Sequence, residues 1–164
     1  MKNVLFVCLG NICRSPMAEF MFKDLVKKKG LENEFHIESA GTSNEEYGNG
    51  VYYLARQKLA EVGIIPDGKT ARQITKEDYN KFDYIIAMEE RNIRGILRIV
   101  GEDREGKIYR LLDFTDTPRD ISDPWYTRNF NNTYLDLKEG LEAFLDKIIY
   151  IEKTRFISCL FLII

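Results

Sequence analysis

Val4-Leu5-Phe6-Val7-Cys8-Leu9-Gly10-Asn11-Ile12-Cys13-Arg14-Ser15-Pro16 decides how this chain folds. The first four residues are a short, continuous apolar run of β-formers. That pattern suits a central parallel strand covered on both faces. A loop containing Gly10 and Asn11 follows. Ser15 is a good N-cap and Pro16 suits the first helical position. A helix is therefore predicted from Pro16 to about Lys29, with Phe20 and Leu25 on its inner side and Gly30 as its stop.

Outward from this unit, strand and helix alternate. Phe35 to Ser39 reads as a strand, followed by the loop Ala40-Gly41-Thr42-Ser43. Tyr52 to Val62 reads as a helix ended by Gly63, Asp83 to Ala87 as a strand and Glu89 to Val100 as a helix. Ile108 to Leu111 is a fourth strand, and Asp116 to Tyr126 is a loop punctuated by two prolines. A long last helix, Asn132 to Lys153, turns Leu135, Leu141, Phe144, Leu145 and Ile148 inward. Such alternation predicts an α/β domain with a parallel sheet and helices on both sides. Ligands in these sheets bind beyond the carboxyl ends of the strands, which is where the Cys8 loop lies.

With 164 residues the chain is long enough for one domain with a real core, and 45% hydrophobic with 30% charged residues is ordinary for a globular protein. A net charge of -2 argues against a nucleic-acid partner, which would call for a strongly basic chain. Local charge can still hold a phosphate. Three cysteines, Cys8, Cys13 and Cys159, form no disulfide framework. Without a Cys-x-x-Cys pair, and with His36 alone, no metal site is expected. The apolar start at Val4 is too short for a signal peptide, so a cytoplasmic protein is expected. The domain is placed at 1–155. Residues 156–164, FISCLFLII, form an apolar tail far short of the roughly 20 residues a membrane span needs. The tail is read as a segment packed on the domain or a frayed end, ahead of a membrane or partner contact, and its role is not assigned.

Five residues separate Cys8 from Arg14, between a strand and a helix start. Such a loop can wrap so that successive backbone N–H groups point inward as an anion cradle. The helix dipole adds to it, and Arg14 offers a planar fork for two phosphate oxygens. Leu9, Gly10, Asn11, Ile12, Cys13, Arg14 and Ser15 are thus the expected phosphate-binding residues. The same field favours a Cys8 thiolate, the nucleophilic form. Ser15 could donate its hydroxyl to the sulfur, and Asn11 could brace the loop. Cys13 fails as nucleophile because Glu19, not an arginine, stands six residues beyond it. A leaving alkoxide or phenoxide needs a proton donor. Asp116, Asp120 and Asp123 share the late loop. Asp123 is preferred modestly, since Pro124 biases it to an extended backbone and Trp125 and Tyr126 supply an apolar wall that favours the protonated acid.

The segment from Val7 to Glu19 closely resembles the N-terminal signature of the low-molecular-weight protein tyrosine phosphatases. Ser39-Ala40-Gly41-Thr42, Ala71-Arg72-Gln73, Met88 with Asn92, and Asp123-Pro124-Trp125-Tyr126 follow in that family's order. The likeness runs from about residue 3 to 152. It implies a four-stranded parallel sheet with helices on both faces and a two-step hydrolysis without metal or cofactor. Cys8 would form a phosphocysteine, and Asp123 would act first as acid and then as base. Cys13 would be a redox partner for Cys8, shielding it from irreversible oxidation. Phosphotyrosine proteins or aryl phosphates would be substrates, and phosphate or similar oxyanions inhibitors.

Three positions depart from the family pattern. Glu45 stands where an aromatic often lines the pocket, and Tyr47 is the residue expected to replace it beside Trp125 and Tyr126. Lys69 stands where some members carry a His, which puts that support of the phosphate loop in question. Glu89 replaces an Asp. Among rivals, an arsenate reductase would need further cysteines on a mid-chain loop, and residues 75–95 have none. Phosphoarginine phosphatases of this fold tend to carry Thr where this loop has Ile12. A noncatalytic phosphopeptide-binding module would be expected to lack Cys8, Arg14 or Asp123.

Overall fold

The computed structural model describes residues 1–161, with side chains as far as residue 152 and at Thr154. The apolar tail therefore falls on residues whose side chains lie outside that description.

The central strand β1 (Lys2–Cys8) pairs in parallel with β2 (Phe35–Gly41) on one edge and β3 (Tyr84–Ala87) on the other; β3 pairs in turn with β4 (Ile108–Arg110). The order β2-β1-β3-β4 has the chain leave β1 in one direction and return on its other side, so the carboxyl end of β1 is a switch point. Cys8 sits at that end, opposite Gly41.

Side chains of β1 alternate between two separate cores, which explains its unbroken apolar run. Val4, Phe6 and Cys8 face helices α1 (Arg14–Lys28), α2 (Tyr53–Ala60) and α6 (Phe130–Phe161). Leu5 and Val7 face α3 (Lys76–Lys81) and α4 (Glu90–Val100) through Tyr79 and Ile96. On the first face Phe22 meets Phe6 at 5.6 Å and Phe144 at 5.5 Å, tying α1, β1 and α6 together. Truncating such a ring to Ala costs about 3–5 kcal/mol.

Several local expectations shift. Leu135 is 52% exposed, while Leu137 is fully buried with Leu141, Phe144, Leu145 and Ile148. The inward set recurs at four- and three-residue steps from Leu137, and Leu135 lies off that stripe. Helix α3 was not anticipated; Thr75 and Asp78 close a capping box at its start. A short helix, α5 (Pro124–Thr127), interrupts the late loop, with Asp123 as its N-cap. Helix α1 begins at Arg14, with Cys13 as N-cap, so Ser15 and Pro16 lie inside the first turn. The physical reason is that the Ser15 hydroxyl is used at the Cys8 sulfur.

Candidate active site

Cys8 and Arg14 are brought together by the turn between β1 and α1. Asn11 makes that turn possible by adopting the left-handed region, φ 59°, which Asn tolerates better than most residues. Its backbone N–H points at the Cys8 sulfur at 3.3 Å. Its side-chain amide donates to Ser15 Oγ and to Ser39 Oγ, both at 2.9 Å, and accepts from the Arg72 N–H at 3.1 Å. Ser15 Oγ lies 3.0 Å from Cys8 Sγ. Since Asn11 already donates to that oxygen, the Ser15 proton is left for the sulfur or for the Ala40 carbonyl at 3.3 Å. Cys13, the N-cap of α1, makes no side-chain cap. The positive end of the helix is thus left facing the loop rather than a capping oxygen.

The loop is braced from the segment after β2. The Thr42 N–H donates to the Cys8 carbonyl at 2.9 Å, Ser43 to Leu9 at 2.9 Å and Tyr52 to Ile12 at 2.8 Å. Behind Asn11, a buried polar chain continues. Ser39 Oγ donates to Glu19 at 2.6 Å, and Lys69 reaches Glu19 at 3.3 Å and the Ser39 carbonyl at 2.8 Å. Burial holds the Lys69 ammonium below the usual lysine range, against the opposing pull of Glu19. Lys69 therefore does support the phosphate loop, through Ser39 and Glu19.

Arg14 is 1% exposed. Its guanidinium donates to the Ile121 carbonyl at 2.9 Å and to Asp123 at 2.7 Å, and contacts Glu89 at 2.9 Å. Burial alone would lower its pKa, but Cys8, Asp123 and Glu89 together raise it, so it stays a cation. Of five guanidinium N–H donors, these contacts use three, and two remain for an oxyanion. Asp123 reaches Arg14 with one oxygen and caps α5 with the other, accepting from the Trp125 N–H at 3.0 Å. Burial pushes the Cys13 thiol well above the usual range, with Cys8 and Asp123 adding to it. Cys13 is therefore held as a thiol.

Cys8, Cys13, Arg14 and Asp123 line one cavity of about 250 Å³, while Asn11 and Ser15 lie behind its lining. Its floor carries Cys8, Leu9, Gly10, Ile12, Cys13 and Arg14, and its walls carry Asp123, Trp125 and Tyr126. Tyr47 is not brought to it. That side chain is 75% exposed, and Ser43, Glu45 and Glu46 line the cavity instead. The sequence reading also missed Glu89 and Glu19 as contributors, because each acts through a partner distant in sequence. Among the described residues, no group of three or more His, Cys, Asp or Glu could hold a metal ion, and no helix is long and apolar enough to cross a membrane.

Comparison with known proteins decides the family. The profile described as low molecular weight phosphotyrosine protein phosphatase matches residues 3–154. The chain belongs to this family. Low molecular weight protein-tyrosine-phosphatase YfkJ of Bacillus subtilis is 44% identical over 150 residues, covering 90% of this chain and 96% of the relative. The crystal structure of YfkJ superposes with a TM-score of 0.88 over 92% of this chain and 96% of that one, at 43% identity. The human low molecular weight phosphotyrosine protein phosphatase is 40% identical over 151 residues, with 89% and 95% covered. A Drosophila arginine phosphatase is similar at 33% identity and TM-score 0.81, with 90% and 98% covered. The four-stranded parallel sheet and the loop after its first strand match these phosphatase structures.

Proposed function

We propose that this phosphatase hydrolyses phosphotyrosine through a phosphocysteine on Cys8, with Arg14 as phosphate clamp and Asp123 as general acid and then general base. The observation that carries this reading is the Cys8 sulfur, held 3.0 Å from Ser15 Oγ and 3.3 Å from the Asn11 N–H in the cavity that Arg14 and Asp123 also line. The Cys8 thiolate attacks phosphorus, and the P–O bond to the tyrosine breaks. Asp123 gives its proton to the departing phenolate. Water then attacks phosphorus, Asp123 takes its proton, the S–P bond breaks and inorganic phosphate leaves. The loop amides and the free donors of Arg14 hold the phosphoryl oxygens throughout. An arriving dianion competes with Asp123 for Arg14; the freed carboxylate takes up a proton from solvent and turns towards the leaving oxygen.

Trp125 and Tyr126 supply a flat wall for an aryl group, which favours phosphotyrosine proteins and aryl phosphates. Cys13 shares the loop and the cavity with Cys8. Peroxide would oxidise Cys8 to a sulfenic acid, and the Cys13 thiol would condense with it, releasing water and forming a disulfide. Two free thiols in one site suit a reducing, cytoplasmic setting.

The test is turnover of matched phosphotyrosine, phosphoserine and phosphoarginine peptides. Turnover confined to phosphotyrosine is expected. Cys8→Ser is expected to abolish it while phosphate still binds. Retained turnover in that variant removes the nucleophile assignment, and a preference for phosphoarginine replaces the substrate class.

A further inference from the structure

Helix α5, which carries Asp123 at its start, is a single turn of four residues. So short a helix has no stability of its own and must be held by contacts outside it. Its start is held by Asp123 on Arg14. Its end is Arg128, in the left-handed region at φ 58°, with its N–H on the Pro124 carbonyl at 3.0 Å. A long side chain in that conformation is strained where glycine would not be. The Arg128 side chain has two partners. It donates to the Tyr52 hydroxyl at 3.2 Å, and its guanidinium lies 5.8 Å from the centre of the Trp125 ring.

Tyr52 completes the arrangement. Its ring meets Trp125 edge-on at 5.1 Å and stacks on Phe130 at 6.0 Å. The Trp125 indole is thus in contact with both Tyr52 and Arg128. The backbone N–H of Tyr52 is the donor to the Ile12 carbonyl in the phosphate loop. One residue therefore touches the nucleophile's loop through its main chain and the acid's turn through its side chain.

We propose that Tyr52, together with Arg128, is a positioning residue that fixes the acid-bearing turn relative to the phosphate loop, and so sets how well Asp123 reaches the leaving oxygen. The inference rests on the reading of Asp123 as the general acid. The effect should appear in proton donation and not in phosphate binding, because neither side chain reaches the Cys8 loop's anion cradle.

The experiment compares kcat/KM for phenyl phosphate, whose leaving group needs a proton, with that for 2,4-dinitrophenyl phosphate, whose leaving group does not. The proteins are the parent, Tyr52→Phe, Arg128→Gly and Asp123→Asn, each checked for an intact fold by thermal melting. Tyr52→Phe removes only the hydroxyl. Arg128→Gly keeps the left-handed backbone accessible and removes the tether. The expected result is a loss of about three- to tenfold on phenyl phosphate in both variants, with the dinitrophenyl substrate and inhibition by inorganic phosphate changed less than about twofold. Selective loss in Asp123→Asn but not in the two tether variants overturns the positioning role and leaves the acid in place. Equal losses on both substrates in the tether variants also overturn it. Absence of selectivity in Asp123→Asn overturns both readings together.

Discussion

Gly41→Ala should damage catalysis with little change in the fold. Gly41 closes β2 opposite Cys8, and both of its backbone polar groups are bound. Its N–H donates to the Arg72 carbonyl at 2.8 Å, and its carbonyl accepts from the Ile74 N–H at 2.8 Å. The strand end therefore cannot retreat. A Cβ at this position would stand 2.6 Å from the Leu9 carbonyl oxygen and 3.2 Å from the Asn11 nitrogen. Ordinary non-bonded contacts lie near 3.5 Å, so the phosphate loop must shift by roughly 0.5–1 Å. A displacement of about that size at a reacting group costs on the order of a hundredfold in rate. We expect kcat/KM for an aryl phosphate to fall by about ten- to a hundredfold, and inhibition by inorganic phosphate to weaken, because the same N–H groups bind both. A near-parental melting temperature would show the sheet to be intact. Activity within about threefold of the parent in a folded Gly41→Ala protein would refute the claim that close approach of β2 sets the loop's position.

Three further substitutions probe other parts of the site. Lys69→Met leaves Glu19 with Lys23 and Ser39 as its partners; a loss of about 1–3 kcal/mol in urea unfolding is expected, and an unchanged midpoint would deny Lys69 its supporting role. Glu45→Gln removes a negative charge from the pocket lining, so KM for a dianionic aryl phosphate should fall up to about threefold at low salt and converge with the parent near 1 M salt; a salt-independent change would point to shape instead. For Glu38, burial pushes the carboxyl up, but hydrogen bonds from Lys81, His36 and Arg72 outweigh it and hold it at about 2, against an ordinary 4.5. A depressed carboxylate contributes stability above its unfolded pKa and loses it as pH falls through the folded one. The melting-temperature advantage of the parent over Glu38→Gln should therefore be full at neutral pH and shrink between about pH 4.5 and 2; a gap independent of pH would refute the ion-pair account.

The parts legible in the sequence are those encoded over short distances. The apolar run Val4 to Val7, the loop and the following helix all lie within one stretch, so propensity and spacing report on them directly. The parallel sheet followed from strand–helix alternation. Other features were hidden because their cause lies elsewhere in the chain. Ser15 reads as a helix cap by local rules, yet its hydroxyl is engaged by Cys8 and Asn11. Leu135 and Leu137 are the same residue type two positions apart, and only the second lies on the stripe that Leu141, Phe144, Leu145 and Ile148 continue into the core. Tyr47 was assigned to the pocket by proximity in sequence, but the turn around Gly48, φ 82°, leaves it in solvent and Glu45 and Glu46 lining the cavity. Glu89 reaches Arg14 across 75 positions, and Lys69 reaches Glu19 across 50, and no local pattern records either contact. The capping box of Thr75 and Asp78 was readable and shows α3 to be an element that pattern reading can find.

The braces on the phosphate loop bear on anyone wishing to transplant it. Thr42, Ser43 and Tyr52 hold the loop's carbonyls, and the Arg72 N–H holds Asn11 from a sequence distance of 61 residues. A graft of residues 8–14 onto another strand–helix junction would carry the thiol and the guanidinium but none of these clamps. The seven-residue motif is thus a readout of a scaffold and not a portable part. A designer should count as the minimal unit the motif together with the peptide edges of β2, the start of α2 and the strand-like stretch before Ile74.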